Sequence, residues 1–583
     1  MPQNLTRLFD IPAYQLKHTP HDKAFNTKTG GNWLSLSTQD YCSQIDTIST
    51  ALLELGVQAG DKIAVVTEIN CVEWHILDMA VLQIGAINVP LYATLSSKDY
   101  EFILNHSDSK FCFVSNTDLF NKVKAIQPNT QVATIFSFDN TVCLDNWEHL
   151  LALGQNVNHQ KELEQRKANV SPKDLATIAY TSGTTGVPKG VMIAHEELLH
   201  TATTCKDLIN LQESYLPMLS YLPISHVFER LVTYYYQYMG MEIYFAESLE
   251  RLVDNFQEVK PVFLPIVPRL LEKIYDKIMA KGNALSGVKK SLFFWAVRLA
   301  ENTEIGQKRG LKHKIADTLI YSKWRAIFGG DLRFFISGSA PLQERLIKVF
   351  TAAGLPIYEG YGMTESSGVI SLNSYKKGGV KVGTVGKIMP GLEVKIATDG
   401  EILVKGKNIL KGYYKNEEKT NEAIKDGFFH TGDIGEICND GSLKITDRKK
   451  EMFKTSGGKY IAPAMIENMM KQSPFIEQIM VIGEGYKMPA ALIQVNYDFV
   501  SDWAKKNNHI ITDITTDKTH IAQIQKDIDV YGESLGKWEQ IKKFEITPEA
   551  WTIEAGHLTP TMKLKRKVIK EKYQDLFVKI YLR

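Results

Sequence analysis

Helical and strand patterns alternate through the first 140 residues of the chain. The helical patterns span 41–52, 72–84 and 98–105, and the apolar strand patterns span 62–66, 87–92 and 111–115. Gly56 and Gly85 stand at the expected ends of two of these helices. Strands that alternate with helices at this spacing form parallel sheets covered by helices. The sequence therefore predicts an α/β fold.

The pattern of apolar and polar residues changes after about residue 379. Alternating runs flank Asp399-Gly400 within 392–407, and similar runs flank Asn439-Asp440-Gly441, which indicates two β-hairpins. A charged stretch at 447–451 follows, and new helix and strand patterns lie beyond it. We expect a β-rich subdomain, then a domain boundary at this stretch and a small α+β domain after it.

Composition excludes several classes of protein. A length of 583 residues exceeds what one hydrophobic core serves. The net charge of only +2 disfavours a nucleic-acid binder. The six cysteines form no C-x-x-C pair, which disfavours disulfide frameworks and zinc sites. No apolar run is long enough to cross a membrane and no signal peptide is evident, so we expect a cytoplasmic protein, with peripheral attachment to the inner face of the membrane left open.

The strongest local signal is YTSGTTGVPKG, at 180–190, directly after an apolar strand pattern. Glycines allow backbone N–H groups to come close to an anion, hydroxyls can donate to phosphate or ligate a metal, and Lys189 adds a cation. The string is not a Walker loop, because Pro188 stands where the second glycine would be. The alternative is a plain surface turn. The pattern favours a phosphate-binding loop.

This string resembles the phosphate loop of the AMP-forming adenylating superfamily, which includes acyl-CoA synthetases, luciferases and peptide-synthetase adenylation domains. Four further segments resemble that family's motifs in the same order, namely YEGYGMTES (358–366), FHTGDIG (429–435), TDRKKEMFKTSGGKYIAP (446–463) and LTPTMKLKRK (558–567). Five motifs in order cover most of the chain. The sequence is identified as a member of this superfamily, closest to long-chain fatty acid–CoA ligases.

The resemblance implies a set of site residues. Thr181 and Glu365 would bind the Mg²⁺ that bridges the ATP phosphates, and a carboxylate such as Glu365 suits that hard cation. Lys565 would stabilise the charge in adenylation, and His226 would cap the pocket near the carboxylate. The implied nucleotide contacts are Ser182, Gly183, Thr184, Thr185, Gly186, Lys189, Ser337, Gly338, Glu359, Gly360, Tyr361, Gly362, Thr364, Asp433, Arg448, Lys450 and Lys454.

Each of these assignments has an alternative. Glu365 alone could be a solvated carboxylate, and a TGD tripeptide such as the one ending at Asp433 is usually a turn. Lys565 lies in an ordinary basic run, and its choice rests on the family's terminal motif. One departure from the family is His430, where many relatives have Arg; this affects a peripheral contact and not the ribose-binding carboxylate.

Two segments bear on the acyl substrate. LPISHVFER (222–230) resembles a segment of long-chain fatty acyl-CoA synthetases, and the tyrosines at 234–236 either line an acyl tunnel or belong to the core, with the core favoured. KKSLFFWAVRLA (289–300) either contacts a membrane as an interfacial helix or is buried between subdomains, with burial favoured.

The resemblance implies a fold, a division of the chain and a reaction. A large multi-subdomain adenylating domain with mostly parallel sheets would occupy 1–447, a hinge 448–450, and a small mobile α+β domain 451–583. The reaction would convert a fatty acid and MgATP to acyl-AMP and pyrophosphate, then acyl-AMP and coenzyme A to acyl-CoA and AMP. The alternatives are a ligase that loads a carrier-protein thiol and a non-catalytic sensor of nucleotide or acyl-CoA.

Overall fold

The alternation of helices and strands predicted for the first 140 residues is confirmed in the computed structural model, which describes residues 5–182, 187–374, 380–559 and 562–582. Up to residue 182 the elements are α1 (Asp10–His18), β1 (Phe25–Thr29), β2 (Asn32–Leu36), α2 (Thr38–Glu54), β3 (Lys62–Thr67), α3 (Val72–Gln83), β4 (Ile87–Tyr92), α4 (Ser97–His106), β5 (Ser109–Val114), α5 (Thr117–Ile126), β6 (Thr134–Ser137), α6 (Trp147–Asn156), α7 (Gln160–Asn169) and β7 (Leu175–Ser182).

The middle of the chain adds mostly long helices. Its elements are β8 (Pro188–Ala194), α8 (His195–Ile209), β9 (Pro217–Ser220), α9 (Val227–Met239), β10 (Glu242–Phe245), α10 (Leu252–Val259), β11 (Phe263–Ile266), α11 (Pro268–Ala284), α12 (Gly287–Glu301), α13 (Leu311–Ala316), α14 (Ser322–Ile327), β12 (Phe334–Ser337), α15 (Glu344–Ala352), β13 (Ile357–Tyr361) and β14 (Ser371–Leu372). A π-helical turn at Asp317–Tyr321 joins α13 to α14, and a 3₁₀ turn spans Thr364–Ser366.

The last part of the chain is richer in short strands. Its elements are β15 (Lys387–Ile388), β16 (Glu393–Ile396), β17 (Glu401–Lys405), β18 (Gly412–Tyr413), α16 (Glu417–Ala423), β19 (Ile424–Lys425), β20 (Phe428–Ile437), β21 (Leu443–Arg448), β22 (Phe453–Lys454), β23 (Tyr460–Ile461), α17 (Pro463–Met470), β24 (Ile476–Ile482), β25 (Ala490–Val495), α18 (Tyr497–Lys506), α19 (Lys518–Tyr531), β26 (Phe544–Ile546), α20 (Arg566–Lys572) and α21 (Gln574–Leu582). Both predicted hairpins, β16–β17 and β20–β21, are present.

The chain forms two compact units. The N-terminal unit comprises Met1–Val394, Val404–Phe429 and Cys438–Leu443, and the C-terminal unit comprises Lys395–Leu403, His430–Ile437 and Lys444–Arg583. The predicted fold class, a large α/β domain and a small C-terminal domain, is confirmed; the sheets of the large domain combine parallel and antiparallel pairing. The division at 447, 448–450 and 451 stays a prediction.

Two sheets of the N-terminal unit carry the segments 180–182, 188–190 and 358–361 of the motifs predicted to bind nucleotide. The seven-stranded sheet has the order β18–β8–β7–β4–β3–β5–β6, in which β4, β3, β5 and β6 run parallel and β7–β8 is antiparallel. A five-stranded sheet has the order β11–β12–β13–β14–β15, with parallel pairing from β11 to β13. Apolar side chains of the covering helices fill three core clusters in this unit.

The C-terminal unit has a core of its own. Strands β24, β25 and β26 form a three-stranded sheet; α17 and α21 pack against it, and α19 packs against α17. Arg566 is held inside this unit by Glu451 at 3.2 Å and Glu467 at 2.6 Å. Because two carboxylates surround one guanidinium, they raise the pKa of Arg566 although its burial would lower it.

The two aromatic segments left open by the sequence both belong to the core. Tyr234, Tyr235 and Tyr236 are fully buried in α9. In α12 Phe293 is buried, and Phe294 and Trp295 pack, partly buried, against the second core cluster. No helix in the described ranges combines the length and the apolar character needed to cross a bilayer.

Candidate active site

The β7–β8 hairpin places Thr181 directly opposite Lys189. Gly190 pairs with Tyr180 in the same ladder, and a Cβ atom at Gly190 would lie 2.7 Å from the Ile178 side chain, so only glycine fits there. Ser182 ends β7. Gly183, Thr184, Thr185 and Gly186 lie outside the described residues. Thr181 and Lys189, whose hydroxyl and ammonium groups are predicted to contact phosphate, are therefore held side by side on two hydrogen-bonded strands.

Tyr413 connects this hairpin to Glu365. It lies on β18, which pairs with β8, and its hydroxyl donates to Glu365 Oε1 at 3.1 Å. The Lys189 ammonium group lies 5.1 Å from the centre of the Tyr413 ring. Burial, reinforced by Glu365, raises the pKa of Tyr413, so the phenol stays protonated and acts as the donor. No sequence motif pointed to Tyr413.

The turn that carries Glu365 depends on close backbone contacts. A Cβ atom at Gly362 would lie 2.2 Å from the carbonyl oxygen of Gly368, which excludes every other residue type. Ser366 Oγ accepts from the Met363 N–H at 3.0 Å and closes the turn. Thr364 and Glu365 remain partly exposed on it. Glycine is therefore required at position 362 so that the turn can form, and the turn leaves the side chains of Thr364 and Glu365 accessible.

The fit of this cluster to Mg²⁺ follows from its donor set. A carboxylate at Glu365 and a hydroxyl at Thr181 are hard oxygen ligands, and Mg²⁺ is commonly held by one or two such ligands together with substrate phosphates. Tyr413 orients the carboxylate by donating to one of its oxygens. Across the described part of the chain, no group of three or more His, Cys, Asp or Glu side chains is arranged to bind a metal.

The predicted adenine slot lies at the ends of the parallel strands β12 and β13. Ser337 pairs with Glu359, and a Cβ atom at Gly338 would lie 3.7 Å from the carbonyl oxygen of Gly360. Gly360 and Tyr361 pair with β14 on the other side. Ser337 Oγ is buried and has no hydrogen-bond partner among the described residues. An unpartnered buried hydroxyl beside two glycines fits a planar polar group.

Glu359 has the most strongly shifted pKa in this slot. Burial raises it to about 8; Glu344 adds to the rise, and the Leu342 N–H opposes it by hydrogen bonding. The carboxyl group is therefore protonated near neutral pH and can donate a hydrogen bond to a ring nitrogen.

His226 caps the N-terminus of α9. Its Nδ1 accepts from the Phe228 N–H at 3.1 Å, so the neutral ring carries its proton on Nε2. The Phe228 ring would lie 3.9 Å from a Cβ atom at Gly338, and the ring centres of His226 and Tyr92 are 6.4 Å apart. The start of α9 therefore lies beside the adenine slot.

The C-terminal unit brings together a second group of predicted residues. Asp433 is buried and pairs with Arg448, Oδ1 to Nε, at 3.2 Å. Gly432, with a φ of 73°, turns the chain so that its carbonyl oxygen accepts from the Lys449 N–H at 2.8 Å. A ribose diol is the kind of ligand that an aspartate fixed by an arginine can accept.

Other residues around this pair were not all anticipated. Glu401 holds Lys449 at 2.8 Å and His430 Nδ1 at 3.2 Å, which gives His430 a structural partner. Burial raises the pKa of Asp447 to about 7, beside the predicted hinge. Lys450 and Lys454 are exposed. Asp447 belongs to the 446–463 motif, but the sequence assigned no role to it or to Glu401.

Lys565 stands at the N-cap of α20. Its backbone N–H donates to the His557 carbonyl at 2.8 Å, and its side chain is partly exposed. The next residue, Arg566, is fixed by two carboxylates, so the start of the helix is anchored. Thr561, in the same terminal motif as Lys565, lies outside the described residues.

The comparisons with known proteins cover nearly the whole chain. The family model "AMP-binding enzyme" matches residues 13–414, and "AMP-binding enzyme C-terminal domain" matches 451–583. The chain belongs to the AMP-binding enzyme family. The resemblance drawn from the five motifs is thus confirmed.

Individual relatives agree with this family. The chain is 35% identical to a long-chain-fatty-acid–CoA ligase of Mycobacterium bovis, over 94% of this chain and 93% of the relative. It is 32% identical to fatty acyl-CoA synthetase A of Dictyostelium discoideum, over 94% and 86%. The adenylation domain of a carboxylate reductase from Mycobacterium chelonae matches its fold with a TM-score of 0.75 at 20% identity, covering 99% of this chain and 91% of that one.

Proposed function

We propose that this AMP-binding enzyme is an ATP-dependent long-chain fatty acid–CoA ligase. The observation that carries the proposal is the cluster formed by Thr181, Lys189 and Tyr413 on adjoining strands of the N-terminal unit and by Glu365, which accepts from Tyr413 on the turn at Thr364–Ser366. Relatives at 32–35% identity that are named as fatty acyl-CoA ligases support the acyl substrate and the thiol acceptor. The substrates are then a fatty acid, ATP and coenzyme A, with Mg²⁺ as the cofactor.

The first half-reaction forms acyl-AMP. A carboxylate oxygen of the fatty acid attacks the α-phosphorus of ATP, and the bond between the α- and β-phosphates breaks to release pyrophosphate. When bound, Mg²⁺ neutralises phosphate charge, and Thr181 and Glu365 are the residues that would hold it. Thr364 and Lys189 contact phosphate, and Lys565 offsets repulsion between the two anionic reactants.

The second half-reaction transfers the acyl group to a thiol. The coenzyme A sulfur attacks the acyl carbon and loses its proton, and AMP leaves with the electron pair of the cleaved acyl–phosphate bond. We propose that the segment 455–459 serves this step, with Lys450 as the hinge between the two half-reactions. His226, at the start of α9, faces the carboxylate end of the pocket.

The decisive experiment separates the two half-reactions. Lys565→Ala should lower fatty-acid-dependent pyrophosphate release by about 100-fold or more, while thioester formation from supplied acyl-AMP is retained. Lys567→Ala is the matched control, because that lysine lies two positions away and is well exposed. Unchanged adenylation in Lys565→Ala would remove this residue from the mechanism.

Substrate range and acceptor are tested with the unmodified chain. AMP release with coenzyme A across a series of fatty acids should favour long chains, and acceptance of only short or aromatic acids would contradict the proposal. Replacing coenzyme A by acyl carrier protein in single-turnover assays tests the carrier-loading alternative. Absence of fatty-acid-dependent ATP–pyrophosphate exchange would favour the non-catalytic sensor.

We also propose that the protein contacts a membrane peripherally, since long-chain fatty acids partition into bilayers. The cytoplasmic location stays a prediction, which cell fractionation tests.

A further inference from the structure

A continuous helical segment at 311–327, built from α13, the π turn and α14, carries apolar residues on two of its faces. One face is packed into the second core cluster through Ala316, Ile320 and Trp324. The other face presents Leu311, Ile315 and Leu319, which are 74%, 43% and 42% exposed. A soluble surface helix normally has one apolar stripe, so the second stripe is unusual.

The exposed stripe is straight because of the helix geometry. Its three residues are spaced by four, and in an α-helix each four-residue step turns about 40° past a full turn. The π turn at Asp317–Tyr321 holds more residues per turn, so the step from Ile315 to Leu319 turns less. Ile315 and Leu319 therefore stay on one side instead of drifting around the axis.

This helical segment is fixed to the rest of the unit. The Tyr321 hydroxyl donates to the Ala296 carbonyl of α12 at 2.7 Å, and Thr303 Oγ1 lies 2.8 Å from His313 Nε2. Arg325 holds Asp317 at 2.5 Å. Because these contacts fix the helical segment, Leu311, Ile315 and Leu319 stay on its exposed side and are not buried in the core.

Positive charge surrounds the stripe. Residues 308–325 contain six basic and one acidic side chain, a net charge of +5 in a chain whose total is +2. The single carboxylate, Asp317, is already paired with Arg325. Lys308, Lys312, Lys314 and Lys323 are exposed and form no ion pair among the described residues. The surface therefore matches an anionic partner that also offers an apolar layer.

We propose that the 311–327 segment docks on the surface of an anionic phospholipid bilayer. Leu311, Ile315 and Leu319 would enter the boundary between headgroups and acyl chains, and the lysines would contact the phosphates. A nucleic acid would satisfy the lysines but not the apolar stripe. The choice of a bilayer over an acidic protein rests on the proposed function, because a bilayer also holds the acyl substrate.

This assignment differs from the interfacial helix considered from the sequence. Phe294 and Trp295 of α12 pack against the core, whereas Leu311, Ile315 and Leu319 form an exposed apolar stripe on the following helical segment. The membrane contact proposed above is therefore assigned to the 311–327 segment. The aromatic residues of α12 pack in the core instead.

The test is cosedimentation of the full chain with vesicles, without substrates, so that its outcome is independent of ligase activity. Wild type should bind vesicles of phosphatidylcholine with about 30% phosphatidylglycerol, and binding should weaken as salt rises. The triple variant Leu311→Ser/Ile315→Ser/Leu319→Ser should bind about 100-fold more weakly. Lys308→Gln/Lys312→Gln/Lys314→Gln should lose the preference for anionic over pure phosphatidylcholine vesicles.

The matched control is Leu144→Ser/Leu249→Ser/Ile510→Ser, whose residues are 90%, 71% and 84% exposed elsewhere on the chain. It should bind as wild type does. All variants should keep the wild-type thermal midpoint and the rate of acyl-CoA formation from dissolved fatty acid.

Three results would overturn the proposal: no vesicle binding by wild type, equal binding by the stripe variant, or a stripe variant that instead converts a dimer to a monomer in light scattering. The last result would assign the stripe to a second copy of the chain.

Discussion

Two adjacent residues of α9, Glu229 and Arg230, are equally buried but are stabilised in opposite ways. Arg230 donates to Asp78 at 2.6 Å and to Thr177 at 2.7 Å, and Tyr234 joins the same carboxylate at 2.5 Å. Glu229 accepts from Ser220 at 2.6 Å, and no cation pairs with it in the described part of the chain.

The two environments shift pKa values differently. Burial alone would lower the pKa of Arg230, but Asp78 and Tyr234 raise it, so the guanidinium stays charged. Burial raises the pKa of Asp78, and Arg230, Tyr234 and Asn88 oppose that rise by stabilising the carboxylate. Burial raises the pKa of Glu229 to about 8, and hydrogen bonds from Ser220 and the Tyr221 backbone only partly oppose the rise. Equal burial therefore gives an ion pair at one residue and a protonated acid at the next, because the partners differ.

Removing Asp78 should have the largest effect. Asp78→Ala leaves the buried Arg230 guanidinium without its counter-charge, and we expect a loss of about 3–5 kcal/mol in the free energy of unfolding. Denaturant titration followed by circular dichroism measures it. Asp207→Ala, an exposed aspartate on α8, should change stability by less than about 0.5 kcal/mol. A loss below about 1 kcal/mol for Asp78→Ala would show that the pair is not energetically coupled.

The sequence predicts part of this arrangement. Alternating patterns identified α3, β4 and β7, and the motifs identified the residues at 181, 189 and 365. The spacing of Gly362 before Thr364 and Glu365 is explained by local backbone contact, which is why a short motif conveys it. Local patterns therefore predict local geometry.

The remaining contacts join distant positions. Asp78 and Arg230 are 152 residues apart, and Tyr413 and Glu365 lie on different elements. Which residues meet depends on the order of strands in the sheet, which no local pattern encodes. The sequence does single out Asp78 in one way, because it is the only carboxylate in the mainly apolar, buried part of α3, Trp74–Gln83.

The pH dependence of the free energy of unfolding tests whether Glu229 is protonated in the folded protein. As the pH rises from about 4.5 to about 8, Glu229 ionises in the unfolded chain but stays protonated in the folded one. The contribution of Glu229 to stability is therefore complete below about pH 4.5 and is lost as the pH rises through 8. Glu229→Gln should remove this loss, which amounts to at most about 1.4 kcal/mol for each pH unit.

The measurement is the free energy of unfolding of wild type and Glu229→Gln at pH 5, 6, 7 and 8. The variant should become relatively more stable as the pH rises. Tyr221 and Tyr236, the nearest other titratable groups, have pKa values that burial raises still further above neutrality, so they do not titrate in this range. Parallel curves for the two proteins would mean that Glu229 is ionised in the fold.

The smallest effect on stability should come from Asn70, which braces the loop before His226. Its Oδ1 accepts from the Ile224 N–H at 3.1 Å, and its Nδ2 donates to the Leu222 carbonyl at 2.7 Å. Asn70→Ala should cost about 1–2 kcal/mol, because two buried backbone groups lose their partner. If the loop also positions His226, kcat for adenylation should fall while KM for ATP stays nearly constant.

The control for Asn70→Ala is Asn116→Ala, which removes the N-cap of α5 and should cost a similar amount, about 1 kcal/mol, without touching the α9 loop. Equal stability loss with unequal kcat would assign Asn70 a positioning role. Equal loss in both quantities would assign Asn70 a purely structural role in the loop before His226.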